Sequence, residues 1–574
     1  MKRLVVTAGI ALLAVSCSKT PDGVQHGSKS AVEDYYGTLE PFASEAVYFV
    51  LTDRFVDGDA ANNHVGQGAP DRHTFDRPIT DLQGNEGNIG YLGGDFRGLL
   101  DNAGYIADMG FTAVWITPIV ENPDEAFMGG NRLGEGFFAD YGKTGYHGYW
   151  GVNFFETDEH LVSDGLDFPQ LTEQLRSQHG LKTVLDIVCN HGSPSYTMPQ
   201  DQPGYGEIYN AAGELVADHQ NLAPEDLDEN NSLHAWFHRE PDLAQLSNID
   251  ENNPDVLDYF VEAYSQRIGQ GAAAFRIDTI KHMPHDYWKR FSDRIRERHP
   301  GFFMFSESFE FNAARVAEHT WPQNGGISVL DFPGQKLISE VFTDADSSYA
   351  QLAGYLHLTD GIYHNPYELM TFYDNHDMPR MDADENGFID AHNWLFTSRG
   401  IPVIYYGSES MFRPGAAEHG GNRDYFGVDS IAHARSHPVR AALEQIADVR
   451  RQSPALQRGL QANLELRDDR AVFFRIYQND GVTQTALVLL NKGDSAEKIR
   501  VNKWLSTGTW RDAMSGEELV VSLEQPVIEL AVPAHGVRVL LLDGPNTDEL
   551  LAAELATLQA KAVRPGMATT GAAQ

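Results

Sequence analysis

The 574-residue sequence predicts an α/β fold, a (β/α)8 TIM barrel with a domain inserted after its third strand and a C-terminal antiparallel β-sandwich. Eight short apolar segments alternate with amphipathic segments of helical period, as in a parallel barrel. A long stretch without helical period follows the third apolar segment, which is typical of an inserted subdomain. From residue 456 onwards, short alternating strands replace the strand–helix pattern and predict a separate β-domain.

The eight predicted barrel strands are residues 47–51, 113–116, 183–188, 273–277, 302–305, 328–330, 370–373 and 402–406. Helical periodicity predicts helices at 99–109, 168–179, 256–268 and 287–298. The barrel therefore occupies 41–191 and 249–455, and the inserted domain B occupies 192–248. The predicted strands of the β-sandwich, residues 456–543, are 471–477, 485–490, 498–501, 527–530 and 537–541. Residues 544–574 form a tail with one short amphipathic helix.

The first 17 residues predict an export signal. A basic start, Met1-Lys2-Arg3, precedes a short apolar stretch at 4–15. Small residues precede Cys17, as before a signal cleavage site, and the segment also resembles a lipoprotein processing box. That resemblance implies a lipid anchor at Cys17 and a periplasmic or membrane-anchored lipoprotein. Plain cleavage, giving a soluble periplasmic or secreted protein, is the alternative. Residues 18–40 are rich in Ser, Gly, Asp and Lys and are expected to be a linker.

The charge balance excludes one class of partner. With 82 acidic and 43 basic residues, the formal net charge is −39. Such a surface repels the phosphates of nucleic acids and favours solubility. We therefore expect no nucleic-acid partner, and we expect a monomer.

Ionisable residues cluster at the ends of the predicted strands. Such groups are unfavourable in a packed core unless they serve a site. In a parallel barrel the carboxyl ends of the strands converge on the active site. Acids from several strands, with His and Arg among them, indicate carboxylate chemistry on a neutral polar substrate, as in glycoside hydrolysis. The segments are residues 186–191 (DIVCNH), 274–282 (AFRIDTIKH), 305–309 (FSESF) and 372–377 (FYDNHD).

Two of these acids have surroundings that suit complementary roles. Arg276 and Asp278 are two residues apart on one strand and point to the same face, so the guanidinium keeps Asp278 ionised. Glu307 lies between apolar Phe305 and Phe309, which raise the pKa of a carboxyl group. Adjacent parallel strands are about 4.8 Å apart, close to the roughly 5 to 5.5 Å between carboxyls that a retaining glycosidase requires.

Together with residues 146–150 (YHGYW), these segments resemble the conserved regions of the alpha-amylase family, glycoside hydrolase family 13, over residues 46–543. The resemblance implies that Asp278 is the nucleophile, Glu307 the acid/base and Asp377 the third catalytic acid. It also implies that the α-glucan substrate contacts Tyr149, His147, His191, Arg276, Lys281, His282 and His376.

The resemblance further implies calcium as cofactor, with one or two ions. Residues 55–63 (FVDGDAANN) pack short oxygen-bearing side chains around a glycine turn, as calcium loops do. This loop is similar to that of cyclodextrin glucanotransferases, which implies the ligands Asp57, Asp59, Asn62, Asn63, Gly93 and Asp95. An Asx-rich turn is the alternative. A second ion would be held by Asn190, by the backbone carbonyl of His282, and by Asn248 in place of the Asp that the family usually carries.

The expected activity is retaining hydrolysis of internal α-1,4-glucosidic bonds in starch and maltooligosaccharides, of the alpha-amylase type. A glucanotransferase or cyclomaltodextrin-processing enzyme of the same family is the alternative. Cyclising relatives usually add a starch-binding module. They also carry a central aromatic residue, and a count back from Asn248 places Ala244 at that position in this sequence. A non-catalytic starch-binding surface lipoprotein is a third hypothesis. It is disfavoured because all three of the family's catalytic acids are present.

Overall fold

The protein, seen here as a computed structural model, is described for residues 34–80, 84, 86–131, 140–413, 418 and 421–563. The predicted export signal, Cys17, most of the linker and the end of the tail lie outside the described residues. No helix among the described residues is long and apolar enough to cross a membrane.

Eight parallel strands form the barrel, so the predicted fold class is confirmed. The sheet runs from the sixth strand through the fifth, fourth, third, second and first to the eighth and seventh. A parallel bridge between Leu330 and Met370 closes the circle. In chain order the strands are Val47–Val50, Ala113–Ile116, Lys182–Ile187, Ala272–Ile277, Phe303–Ser306, Ser328–Val329, Met370–Thr371 and Ile401–Tyr405.

Helices surround this sheet. Helix Phe168–His179 begins at a capping box of Asp167 and Gln170, and it ends at Gly180, whose φ of 70° is left-handed. The predicted helix at 99–109 is instead two helices that meet at Asn102. The α-helices are Thr52–Phe55, Phe96–Asp101, Ala103–Asp108, Phe168–His179, Pro254–Gly269, His285–Arg298, Ala313–Ala317, Phe332–Thr343, Ala353–Leu356, Glu385–Thr397, Gly427–Ala434, Pro438–Arg451, Pro454–Arg458 and Glu549–Ala562.

The segment after the third strand forms β-structure together with an earlier part of the chain. Strands Glu207–Tyr209 and Leu215–Asp218 join Val120–Glu121 and Asn153–Thr157 in one four-stranded sheet. His191–Pro194 pairs with Leu246–Asn248. The connection between the second and third barrel strands therefore contributes half of the four-stranded sheet beside the barrel mouth.

The C-terminal domain contains a six-stranded antiparallel sheet and a two-stranded one. Helix Glu549–Ala562 buries Leu551, Leu555 and Leu558, and Gln559 accepts a hydrogen bond from the Tyr36 amide. The large sheet contains Leu460–Arg467, Arg470–Asn479, Val482–Asn491, Gly536–Leu542, Gly508–Asp512 and Glu518–Val521, in spatial order; the small sheet contains Glu497–Val501 and Ile528–Val532.

Candidate active site

Arg276 lies at the centre of a cluster of acids at the carboxyl end of the barrel. Its guanidinium is fully buried on the fourth strand. Nη1 is 2.7 Å from Oδ1 of Asp278, and Nη2 is 3.1 Å from Oε2 of Glu307. Asp278 follows the fourth strand and Glu307 follows the fifth, which pairs with it in parallel. One cation therefore holds two carboxyl groups side by side at the ends of adjacent strands.

The environment of Glu307 favours its protonated form. Burial raises the pKa of Glu307 to about 8, although Arg276 lowers it; the negative charges of Asp278 and Asp377 raise it further. A carboxyl group with this pKa carries its proton at neutral pH and can donate it.

Asp186, near the end of the third strand, binds the same nitrogen of Arg276, Nη1, as Asp278 does. It accepts hydrogen bonds from Arg276 Nη1 at 2.9 Å, from the Tyr149 hydroxyl at 2.8 Å and from the Trp115 indole at 3.0 Å. Burial raises the pKa of Asp186 to about 7. Sequence analysis included Asp186 in a strand-end motif but predicted no role for it. The signal that could have identified it is its register, because Asp186 pairs with Arg276 on the adjacent strand.

Tyr149 and His376 form one wall of the cluster. The Tyr149 hydroxyl lies 2.9 Å from His376 Nε2, and the two rings stack with centroids 5.5 Å apart. Burial, with Arg423 and Arg276 nearby, lowers the pKa of His376 well below its ordinary value. His376 is therefore a neutral hydrogen-bonding group at physiological pH.

Asp377 is held by two partners. Its Oδ2 is 3.0 Å from His376 Nε2, and its Oδ1 accepts from Arg423 Nη2 at 2.6 Å. Arg423 also donates to the His376 carbonyl at 2.9 Å. Sequence analysis missed Arg423, because it lies 46 residues beyond Asp377 in a loop and no spacing rule links the two.

The remaining predicted substrate contacts lie along the same rim. His147 Nδ1 accepts from the Tyr149 amide at 3.1 Å. His191 Nδ1 is 2.7 Å from Asn190 Oδ1, and burial lowers the pKa of His191. Lys281 donates from Nζ to the carbonyl oxygen of Phe309 at 2.8 Å, which ties the loop after Asp278 to the loop after Glu307.

The residues predicted for the second calcium position make hydrogen bonds in this structure. Asn248 pairs with His191 in the two-stranded sheet, and its side-chain Nδ2 donates to the Glu240 carbonyl at 3.0 Å. Asp242, which the sequence analysis did not include, lies between Asn190 Nδ2, at 3.1 Å, and His282 Nδ1, at 3.0 Å.

Side-chain oxygens of the predicted first calcium loop lie close together near Gly93, where Asn63 Nδ2 also donates to Asp57 Oδ2 at 2.9 Å. A Cβ on Gly93 would lie 2.4 Å from Asn63 Oδ1 and 2.9 Å from Asp57 Oδ2, so both oxygens converge there. The Oδ1 atoms of Asn62 and Asn63 are buried without a hydrogen-bond donor, and an unsatisfied buried acceptor is costly. These three residues fit calcium, which prefers oxygen ligands.

Two other predicted ligands of this loop make hydrogen bonds within it. Asp95 accepts from the backbone amides of Gly58, Asp59 and Gly98 and from the Asn62 amide group. Asp59 Oδ1 accepts from the Ala61 amide at 3.1 Å. Asp95 therefore fixes the shape of the loop and caps helix Phe96–Asp101.

Two aromatic side chains project beside Glu307. Phe309 is 38% exposed and Phe311 is 43% exposed, with ring centroids 5.9 Å apart. Both pack on the buried ring of Phe332, at 4.9 and 6.0 Å. Exposed aromatic rings held on a rigid base provide a surface on which sugar rings can stack.

The catalytic-domain model of alpha-amylase matches residues 49–444. The chain belongs to the alpha-amylase family. This match spans the barrel and all three clustered acids.

Two relatives and one solved structure within this family are informative. The chain is 28% identical over 528 residues to the cyclomaltodextrin glucanotransferase of Paenibacillus macerans, covering 88% of this chain and 68% of the relative. It is 28% identical over 557 residues to an alpha-amylase of Niallia circulans, covering 93% and 97%. The cyclomaltodextrin glucanotransferase CldA, described as having a three-domain ABC distribution, superposes with a TM-score of 0.70 at 28% identity, covering 87% and 99%.

The chain spans between 60 and 72% of the length of seven curated cyclomaltodextrin glucanotransferases that it matches, whereas it covers 99% of CldA. Relatives of both names thus share the barrel, and family membership leaves the choice between hydrolysis and transfer open.

Proposed function

We propose that this member of the alpha-amylase family cleaves internal α-1,4-glucosidic bonds of starch and maltooligosaccharides with retention of configuration. One observation carries the proposal: Asp278 and Glu307 share the buried guanidinium of Arg276, while burial raises the pKa of Glu307 to about 8. An ionised and a protonated carboxyl group on adjacent strands are the pair that the double-displacement mechanism requires.

In the first step, Glu307 gives its proton to the glycosidic oxygen as the bond to the anomeric carbon breaks. A carboxylate oxygen of Asp278 forms a bond to that carbon, giving a glycosyl ester and releasing the reducing-end fragment. In the second step, Glu307, now ionised, removes a proton from water. The water oxygen attacks the anomeric carbon, and Asp278 leaves as carboxylate.

The neighbouring groups stabilise the sugar while positive charge develops on it. Asp377, which contacts Arg423 and His376, would accept hydrogen bonds from ring hydroxyls. Asp186 fixes Tyr149, whose ring is the proposed platform beneath the sugar at the cleavage point. These contacts are formed before substrate arrives, so little reorganisation is required in the transition state.

Calcium is part of the proposal as a structural ion. Asp57, Asn62 and Asn63 would hold it, and its charge would stabilise the loop that precedes helix Phe96–Asp101. The groups near Asn190 are hydrogen-bonded to one another, so the proposal rests on the first loop. We further propose that the enzyme is exported and anchored through Cys17, supported by the sequence of residues 1–17.

Glucan transfer is the second candidate, and two observations favour it. Seven of eight relatives of this chain are named cyclomaltodextrin glucanotransferases, and CldA carries that name with a three-domain distribution. A cyclomaltodextrin glucanotransferase of this family therefore does not require more than three domains. Phe309 and Phe311 could also hold an acceptor sugar against the intermediate and exclude water.

A product time course distinguishes the candidates. The protein without residues 1–17 is incubated with soluble starch, maltoheptaose or β-cyclodextrin, and the products are resolved by anion-exchange chromatography. Hydrolysis gives early linear maltooligosaccharides of retained α-configuration from starch; transfer gives cyclic products or chains longer than the substrate. Asp278→Asn should be inactive and Asp286→Asn, an exposed control, fully active. Parent protein without activity on any of these glucans would refute the proposal.

A further inference from the structure

The turn that carries His376 and Asp377 is held by side chains from a distant part of the chain. Residues 372–384, after the seventh barrel strand, form neither helix nor strand. The carbonyl groups of the turn therefore need donors from elsewhere, because buried backbone groups without a partner are costly. Two consecutive residues, Asn422 and Arg423, supply these donors. Arg423 also binds the Asp377 carboxylate, whereas the side-chain hydrogen bonds of Asn422 go to the backbone.

The side-chain amide of Asn422 spans this turn. Its Nδ2 donates to the Asn375 carbonyl at 3.1 Å and to the Met378 carbonyl at 2.7 Å. Asn375 immediately precedes His376 in the chain, and Met378 immediately follows Asp377. An amide nitrogen carries two hydrogens, so both donors are used and the two carbonyls are kept at a fixed separation. The position of Asn422 therefore sets the conformation of the two residues between them.

Asn422 is itself buried and fixed by the end of the eighth barrel strand. Its backbone carbonyl accepts from Arg380 Nη2 at 3.1 Å and from the Tyr405 hydroxyl at 3.2 Å. Tyr405 is the last residue of that strand, and the Arg380 guanidinium lies over its ring, 4.3 Å from the centroid. Arg380 also donates from Nη1 to the Tyr406 carbonyl at 2.8 Å. Asn422 thus connects the turn after the seventh strand to the eighth strand.

Asp377 depends on this turn more than the other two acids depend on their loops. Its side chain is 27% exposed, against 8% for Asp278 and 7% for Glu307, so packing restrains it least. Its two partners are Arg423 and His376, and His376 belongs to the same turn. A displacement of the turn would therefore move Asp377 relative to the other two acids. A misplacement of about 1 Å in an active site costs about a hundredfold in rate.

We propose that Asn422 is a positioning residue for the third acid: its side-chain amide holds the turn that places Asp377 against the sugar at the cleavage point. The inference rests on the proposed function, in which Asp377 stabilises the sugar while positive charge develops on it. The bound substrate does not carry that charge, so loss of Asn422 should lower kcat more than it raises KM. A residue needed only for folding would lower stability without this preference.

Kinetics of the full-length Asn422→Ala protein on maltoheptaose test this inference, with Asn491→Ala as the matched control. Asn491 lies in the C-terminal domain, is 2% exposed, and donates from Nδ2 to the carbonyls of Ser495 and Pro533, each at 2.9 Å. Both variants lose a buried amide that binds backbone carbonyls, so both should lower the melting temperature. Only Asn422→Ala should lower kcat, by about ten- to a hundredfold, with KM changed less than about threefold.

A double-mutant cycle separates positioning from folding. In the Asp377→Asn background, Asn422→Ala should lower kcat further by less than about threefold, because the group that Asn422 positions is gone. Asn422→Ser, which keeps one donor, should have an intermediate kcat, and it replaces Asn422→Ala in the cycle if that variant does not fold. Parental kcat in Asn422→Ala, equal losses of kcat in the two backgrounds, or loss of folding in both variants would overturn the inference and leave the proposed function standing. A parent protein without activity on any α-glucan would refute the proposed function and the inference with it.

Discussion

The proton of Glu307 should set the alkaline limit of activity. Burial holds the pKa of this carboxyl group at about 8, above its ordinary value of 4.5. The acid must be protonated to assist the leaving group, so activity is present below this pKa and is lost as the pH rises through it. kcat/KM reports the free enzyme, which is the state that the structure describes.

The expected magnitude follows from this pKa. With a value of about 8, roughly nine-tenths of the Glu307 carboxyl groups are protonated at pH 7 and roughly one-tenth at pH 9. kcat/KM for maltoheptaose should therefore fall about tenfold between these pH values. Glu307→Gln should lower kcat by about 10² to 10⁴ on this substrate, because it removes the proton donor.

An aryl maltooligosaccharide with an activated leaving group provides the assay. That leaving group requires little proton assistance, so Glu307→Gln should still form the glycosyl ester, and azide should restore turnover. The fall of kcat/KM at high pH should be absent in this variant. Glu310→Gln, an acid three residues along that lies outside the cluster, should keep the parental pH profile. An alkaline limb that survives Glu307→Gln, or one centred below pH 6 in the parent, would refute the reasoning.

Four further outcomes are expected. Asp278→Asn should lower kcat on starch by about 10⁴-fold or more, and near-parental turnover would contradict its role as nucleophile. Arg423→Gln should lower kcat about a hundredfold, because Asp377 loses its orientation; an unchanged kcat would assign Arg423 to structure alone. Chelation should lower the melting temperature and calcium should restore it, as measured by differential scanning fluorimetry. The melting temperature of the double variant Asp57→Ala, Asp59→Ala should change little with calcium. Starch should yield mainly linear maltooligosaccharides with cyclodextrins at most a trace, and Phe309→Ala should lower the ratio of transfer to hydrolysis; abundant cyclodextrin from the parent would favour the glucanotransferase alternative.

The barrel was predictable from sequence because each element carries a local signal. The second strand, Ala113–Ile116, and helix Phe168–His179 match their predicted bounds. In the helix, the capping box at Asp167 and the glycine at 180 mark both ends in the sequence itself. The Arg276–Asp278 pair was equally local, since a two-residue spacing on a strand places both side chains on one face.

The features that were missed depend on contacts distant in sequence. Strands Gly508–Asp512 and Glu518–Val521 are short. They pair with each other, and only the pairing of Gly508–Asp512 with Gly536–Leu542, which is long-range, joins them to the sheet. Asp242, which contacts Asn190 and His282, lies in an irregular loop that no periodicity describes.

Segments that are synthesised early in this chain pair with segments that are synthesised late. The first barrel strand, Val47–Val50, pairs with Ile401–Tyr405, so one of its edges stays open until most of the chain has been made. The segment before it is later still, because Tyr35 pairs with Gln478 and Tyr36 donates to Gln559. Contacts so distant in sequence form slowly, and unpaired strand edges invite aggregation in the meantime. The segment with Tyr35 and Tyr36 therefore completes its contacts only when synthesis is nearly finished.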